Sequence, residues 1–175
     1  MAPRWHRPDW EAFARSVGFA YTASNDIMPS IWDEICVIEG TLSARPVRAA
    51  AFLQKGMRQR AVVKASVGPI GVGLRPASFA SSIASWFGAQ DVVVGDPTFD
   101  EAVVVKAADP ERAKALLGRS AWLREELTMC ASAGRDFTIG DGGVTIDTED
   151  ESIENVKTEM EWAARVAAEL ERARQ

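Results

Sequence analysis

The sequence predicts an α+β fold, a largely antiparallel β-sheet with helices packed on one side and a long C-terminal helix. Three observations point to it. Consecutive strand-like segments between residues 35 and 75 are joined by short loops, which suits antiparallel neighbours. A glycine-rich turn joins a further pair of strand-like runs near residue 140. Strict β-α-β alternation is missing, and a helical repeat of apolar residues closes the chain.

Each element has a local reason. Residues 1–8 are basic and proline-bounded, and are expected to be flexible. Asp9 is placed to cap a helix whose apolar positions Trp10, Phe13, Ala14 and Val17 recur at helical spacing, with Gly18 at its end. Residues 35–42, 47–54 and 60–67 then read as a β-meander, separated by Ser43-Ala44-Arg45-Pro46 and Lys55-Gly56-Met57-Arg58. The loop from Gly68 to Pro76 adds a turn and one short strand ended by proline. Ser78 is placed to cap a helix carrying Phe79, Ile83, Trp86 and Phe87, which Gly88 ends.

The segment 91–147 mixes both element types. Asp91–Val94 and Ala102–Ala107 are continuous apolar runs, expected as central strands covered on both faces. Asp109-Pro110 starts a helix, because the carboxylate accepts orphan amides and proline lacks only a donor the first turn does not use. A second helix starts at Ser120, carries Trp122, Leu123, Leu127 and Cys130, and ends at Gly134. A hairpin follows around Gly140-Asp141-Gly142-Gly143. In the closing helix, 152–174, Ile153, Val156, Met160, Ala163, Ala167 and Leu170 form a heptad-like seam that suits either the protein's own sheet or a homodimer, with Trp162 and Val166 widening it in favour of the sheet.

At 175 residues, 47% hydrophobic and 26% charged, the chain has the composition of a single globular domain. It contains no apolar run of the roughly eighteen residues a bilayer demands and no secretory-type leader, so a soluble, cytoplasmic protein is expected. Cys36 and Cys130 fall in a strand and a helix and read as buried hydrophobes rather than a disulfide. The charge is uneven. Residues 1–75 hold 10 basic against 6 acidic side chains, and residues 76–175 hold 10 against 19.

Several chemistries lack their residues. His6 is the only histidine, and no G-x-S-x-G, S-x-x-K, H-E-x-x-H or P-loop pattern occurs. No catalytic residue, metal site or cofactor is therefore assigned. Gly68, Gly71 and Gly73 reverse the order of a dinucleotide loop and read as a turn that brings backbones together. The acidic set Asp136, Asp141, Asp147, Glu149, Asp150 and Glu151 misses the spacing of a calcium loop, so Asp141 reads as a turn residue and residues 148–151 as a helix start.

Two features remain. Gly95, Asp96, Pro97, Phe99 and Asp100, with Asp109 downstream, combine a turn, an aromatic plug and two carboxylates four residues apart. The structural reading is a turn in which one Asp accepts backbone amides; the chemical alternative is a carboxylate-based enzyme. The second is a basic ribbon over residues 45–64, in which Arg58, Arg60 and Lys64 share parity and Arg48 lies on the partner strand. Such a face could hold an anion, nucleic acid or anionic lipid, although no interleaved aromatics support nucleic acid and the membrane reading rests on this face alone.

Through Gly95, Asp96, Phe99, Asp100, Val103, Val105 and Asp109 the chain resembles an uncharacterised bacterial family, a domain of unknown function with a GDxxFD, V-x-V, D-P-E signature. The resemblance extends loosely to about two thirds of the chain and implies no catalytic residues, no cofactor and no known ligand. Many members carry upstream membrane segments and an aromatic residue where this chain has Ala102 or Val103. The combined expectation is a non-catalytic interaction or scaffold module whose partner is another protein or a second copy.

Overall fold

The computed structural model describes residues 5–26, 29–30, 33–53, 59–79 and 90–175. Among them lie nine strands and five α-helices, and the strand pairings are antiparallel, so the α+β class holds. The chain divides into two compact units, residues 1–65 with 146–164 and residues 66–145 with 165–175.

In the first unit, α1 (Pro8–Val17) precedes four strands in the order β1 (Ala20–Ala23), β2 (Glu34–Leu42), β3 (Arg45–Leu53) and β4 (Gln59–Ala65). The helix begins two residues earlier than a cap at Asp9 implied. Pro8 takes the first turn, Arg7 is the cap residue without a side-chain bond, and Asp9 joins Glu11 as first-turn acid favoured by the helix dipole. Trp10 and Ala14 are buried, whereas Val17, expected inward, is 45% exposed. Gly18 ends the helix with φ 74°. Trp10 donates its indole N–H to the Glu151 carbonyl at 3.1 Å, and the Arg7 guanidinium lies 5.4 Å from the Trp10 ring centre.

Strand β1 had no clear sequence signal, being four residues long with an alternating pattern too short to register. The first hairpin is tighter than expected. Leu42 pairs with Arg45, so Ser43 and Ala44 alone make the turn, with φ of 49° and 62°, and Arg45 and Pro46 already belong to β3. One face of the meander is apolar, with Ala49, Ala51, Ala61, Val63 and Ala65 almost inaccessible. Small residues there are matched by a large one elsewhere: a Cβ at Gly40 would lie 2.1 Å from the Phe19 ring, which rests against the β2 backbone. Phe13 meets Phe19 edge-on, with ring centres 6.1 Å apart, and the Lys157 ammonium sits 4.9 Å from the Phe13 ring centre.

The second unit contains β5 (Val72–Pro76), β6 (Gln90–Asp91), α2 (Pro97–Ala102), β7 (Val103–Ala107), α3 (Pro110–Gly118), α4 (Ala121–Ser132) and β8 (Asp136–Gly140). Strand β9 (Gly143–Thr148) leaves this unit and ends in the first, and α5 (Ile153–Arg174) begins in the first and ends here. The strand order is β9-β8-β5-β7-β6.

Two expectations fail in this unit. The run 91–94 is not a central strand: Gln90 and Asp91 pair with β7 at the sheet edge, Val92 adds one bond to the Val105 carbonyl at 3.0 Å, and Val93 is 68% exposed. Strand β7 is flanked on both sides, by β5 and β6, yet its burial alternates, with Val103, Val105 and Ala107 inside and Val104 and Lys106 half-buried. The helix expected from Ser78 to Gly88 and the turn at 55–58 fall almost wholly outside the described residues. The seam residues of α5 are all buried, as are Trp162 and Val166, so the folded chain already covers the face a coiled coil would need. Among the described residues no helix is long and apolar enough to cross a membrane.

The ring over Gly40 and the left-handed Ala44 each give an expected outcome. Gly40→Ala should destabilise the protein by roughly 1–3 kcal/mol, the usual range for overpacking. Ala44→Gly should stabilise it by about 1 kcal/mol through relief of the Cβ penalty. Urea unfolding checks both, and a neutral Gly40→Ala variant would mean Phe19 does not rest on β2.

Candidate functional site

The GDxxFD motif builds a cap rather than an open carboxylate pair. Gly95 takes φ 94°, letting the chain leave the sheet edge and turn into α2. Asp96 is the cap residue of that helix: its carboxylate accepts from the Phe99 amide at 3.3 Å and from Arg124 Nε at 3.1 Å. The Arg124 guanidinium holds the Asp96 carboxyl below the usual carboxylate range, with the Phe99 amide adding to it. Arg124 also donates to the carbonyls of Leu117 at 2.8 Å and Ser120 at 3.4 Å, tying α2 and α4 to the end of α3.

Asp100 reaches back to the incoming strand. Its two carboxylate oxygens accept the amides of Val94 at 2.8 Å and Gly95 at 2.9 Å. Those amides lie beyond Val92, whose own amide still reaches the Val105 carbonyl at 3.0 Å, so the carboxylate takes over two residues past the last bond to β7. Pro97 occupies the first turn of α2, and Phe99 is buried at 1% exposure as the plug. A short helix at 97–102 was missed in the sequence because six residues carry too little periodicity. Asp109 caps α3 by accepting the Arg112 amide at 3.0 Å.

The glycine loop before β5 repeats this logic over a longer distance in sequence. Asp141, at the β8–β9 turn, accepts the amides of Ile70 and Gly71, both at 2.8 Å. Glu171 accepts the Gly68 amide at 3.1 Å, and Arg174 donates to the Pro69 carbonyl at 2.8 Å. The loop amides that a phosphate would need are thus held by the protein's own carboxylates. Nothing in the local sequence signals partners seventy and more residues away.

The basic ribbon lies on the first unit. Arg48 stands opposite Lys64 and Phe52 opposite Arg60, so these four side chains share one face of β3 and β4. Arg48 is held by Glu34 at 2.7 and 2.5 Å, with Glu39 at 3.6 Å, and this contact lowers the Glu34 pKa. Arg60 pairs with Asp147 and lies over the Phe52 ring, 5.4 Å from its centre. Lys64 is exposed, and Arg58 lies outside the described residues.

Both cysteines are free and buried. Burial pushes the Cys36 thiol up to about 12 and the Cys130 thiol up to about 11. Among the described residues no three His, Cys, Asp or Glu side chains gather closely enough to hold a metal ion.

The second unit carries a shallow concave feature among its described residues. An open groove of about 410 Å³ runs between α2 and α4, lined by Ala77, Ser78, Thr98, Glu101, Ala102, Thr128, Ala131 and Ser132. Small and hydroxyl-bearing residues dominate it, and Glu101 is its single charge. On α4, Leu123, Leu127 and Cys130 are buried, whereas Trp122 is 39% exposed and Met129 is 62% exposed. The signal was present in the sequence: Trp122 and Met129 are seven residues apart and lie to one side of the stripe formed by Leu123, Leu127 and Cys130, not within it.

No family model matches the chain, and no curated protein does. A solved structure does. The crystal structure of the mycobacterial trehalose monomycolate transport factor A, TtfA, is similar over 94% of this chain and 93% of that chain, with a TM-score of 0.60 and 12% identity. At that identity the likeness is one of fold.

Three outcomes follow from the site. Asp100→Ala should destabilise the protein by roughly 1–3 kcal/mol, the cost of leaving amides without acceptors, with Asp100→Asn milder; equal stability of all three forms in urea would contradict the assignment. Asp96 has a folded pKa below its unfolded one, so it stabilises above the unfolded value and that stability is lost as pH falls through the folded one. Thermal melts from pH 6 downward should therefore fall less steeply for Asp96→Asn than for wild type. Finally, Cys36 and Cys130 should resist a thiol-disulfide reagent at pH 8 in the native protein and react fully in guanidinium; rapid native labelling of either would show an accessible thiolate.

Proposed function

We propose that this chain is a non-catalytic interaction module, an accessory factor that works by binding another protein, and a member of the uncharacterised bacterial family its GDxxFD motif resembles. One observation carries the reading: the carboxylates that could have served chemistry are bonded to backbone amides and guanidinium groups. Asp96 and Asp100 have their oxygens engaged by Phe99, Arg124, Val94 and Gly95, and Asp141 is held by Ile70 and Gly71. A general acid or base needs an oxygen directed at substrate, and these are directed at the fold.

The shared fold supports the same reading. TtfA is described as a transport factor for trehalose monomycolate, and the present chain follows its architecture over nearly its full length. The buried free cysteines suit a reducing compartment, which supports placing the module in the cytoplasm. The basic ribbon is the weaker surface for a partner, because Arg48 and Arg60 already meet carboxylates.

The test is the size at which the protein travels in its own cells. At native expression, in clarified lysate, the chain should elute in an assembly much larger than its own 19.0 kDa, and alone should elute at the size of the free chain. Elution from lysate at the size of the free chain would overturn the interaction reading.

A further inference from the structure

We infer that Asp141–Gly142 is a site of spontaneous modification: the native protein forms isoaspartate there without an enzyme, and, independently of any partner, the change unfastens the glycine loop before β5.

The sequence singles the position out. Asp141 is the only aspartate in the chain followed by glycine. The next residue matters because its amide nitrogen is the attacking atom, and glycine has no side chain to shield that nitrogen or to restrict the backbone as it bends into a ring. Asp96 and Asp109 precede proline, which has no N–H to give up. Asp91, Asp136 and Asp147 lie in strands and Asp100 in a helix, where main-chain bonds hold the backbone. Asp141 and Gly142 instead make the turn between β8 and β9, outside both strands, and both are exposed.

The side-chain geometry favours the same reaction. Asp141 Oδ1 accepts the amides of Ile70 and Gly71, both at 2.8 Å, while Oδ2 has no partner among the described residues. In the acid form the proton sits on the solvent-facing Oδ2 and Oδ1 is the carbonyl oxygen. Charge that develops on Oδ1 during attack at Cγ then meets two N–H donors at the distance an oxyanion hole uses. The Gly142 nitrogen bonds to Cγ, the Cγ–Oδ2 bond breaks, and Oδ2 departs as water with its own proton and the amide proton. Water then opens the five-membered imide. Opening at Cγ restores aspartate. Opening at the Asp141 main-chain carbonyl leaves isoaspartate, with the main chain running through Cβ and Cγ and a free carboxylate on Cα. Nothing is oxidised or reduced.

The product cannot hold the loop as before. The oxygen that faced Ile70 and Gly71 now belongs to a neutral peptide group, and the turn is one methylene longer. Both amides therefore lose their charge-assisted acceptor. The bonds from Gly68 to Glu171 and from Arg174 to the Pro69 carbonyl do not involve Asp141, so the release is confined to Ile70 and Gly71.

The test is ageing of the full chain in its folded state at pH 6 and 37 °C. A species lighter by one water should appear first and isoaspartate after it, read as methyl transfer from labelled S-adenosylmethionine by isoaspartyl methyltransferase and mapped to residue 141 by tandem mass spectrometry. Asp141→Glu, which would have to close a six-membered ring, should lose the signal, and Asp150→Glu should keep it; circular dichroism confirms that each variant folds. In the separated isoaspartyl form, Ile70 and Gly71 should exchange their amide protons faster, while Val94 and Gly95 keep wild-type rates. Isoaspartate at residue 141 only in the urea-unfolded chain would overturn the proposal, since the two amides would then guard the side chain rather than activate it. So would isoaspartate spread evenly over the other aspartates, or unchanged exchange of Ile70 and Gly71 in the modified form.

Discussion

Backbone amides that fall outside a ladder or helix must find acceptors, and in this protein carboxylates supply them at the places where the second unit changes direction. Asp100 takes the two amides beyond β6, Asp96 and Asp109 take amides at the starts of α2 and α3, and Asp141 and Glu171 take three in the glycine loop before β5. An unpaired buried amide is costly, so the part-buried bonds from Gly68, Ile70, Val94 and Phe99 tie their turns most strongly to the acids that accept them. Part of the acidic balance of residues 76–175 is used in this way, with Asp96, Asp100, Asp109, Asp141, Asp150 and Glu171 each accepting a main-chain amide.

The same constraint bears on function. A carboxylate with both oxygens on backbone amides is a poor proton donor or metal ligand, because recruiting it would release the turn it holds. The motif at 95–100 is accordingly a joint: it stops the edge strand, starts α2, and through Arg124 fixes α2 against α4. Fixing those two helices side by side creates the groove. The residues that look reactive in sequence thus shape a surface whose own lining is mostly small.

Legibility in the sequence followed the range of the interactions. The meander, the caps at Asp109 and Ser120, the hairpin at Asp141 and the closing helix depend on neighbours in the chain, and their residues announce them. The class followed from these. Where the sequence misled, a nearby residue took over the role that the local pattern suggested. Val92–Val94 reads as a strand, yet Asp100 and the Gly95 turn draw the chain off the sheet. Asp9 reads as a cap, yet Pro8 starts the helix first.

The site was legible in its residues and not in its geometry. Asp96, Phe99 and Asp100 could be named as a turn with an aromatic plug, but Arg124, twenty-eight residues on, had no local signal. The central claim is that carboxylates hold these turns through their amides. Amide hydrogen exchange by NMR tests it most directly. The account predicts that Val94 and Gly95 are protected in the wild type and lose protection selectively in Asp100→Ala, with Ile70 and Gly71 doing the same in Asp141→Ala. Exchange of these four amides at unprotected rates in the wild-type protein would contradict it.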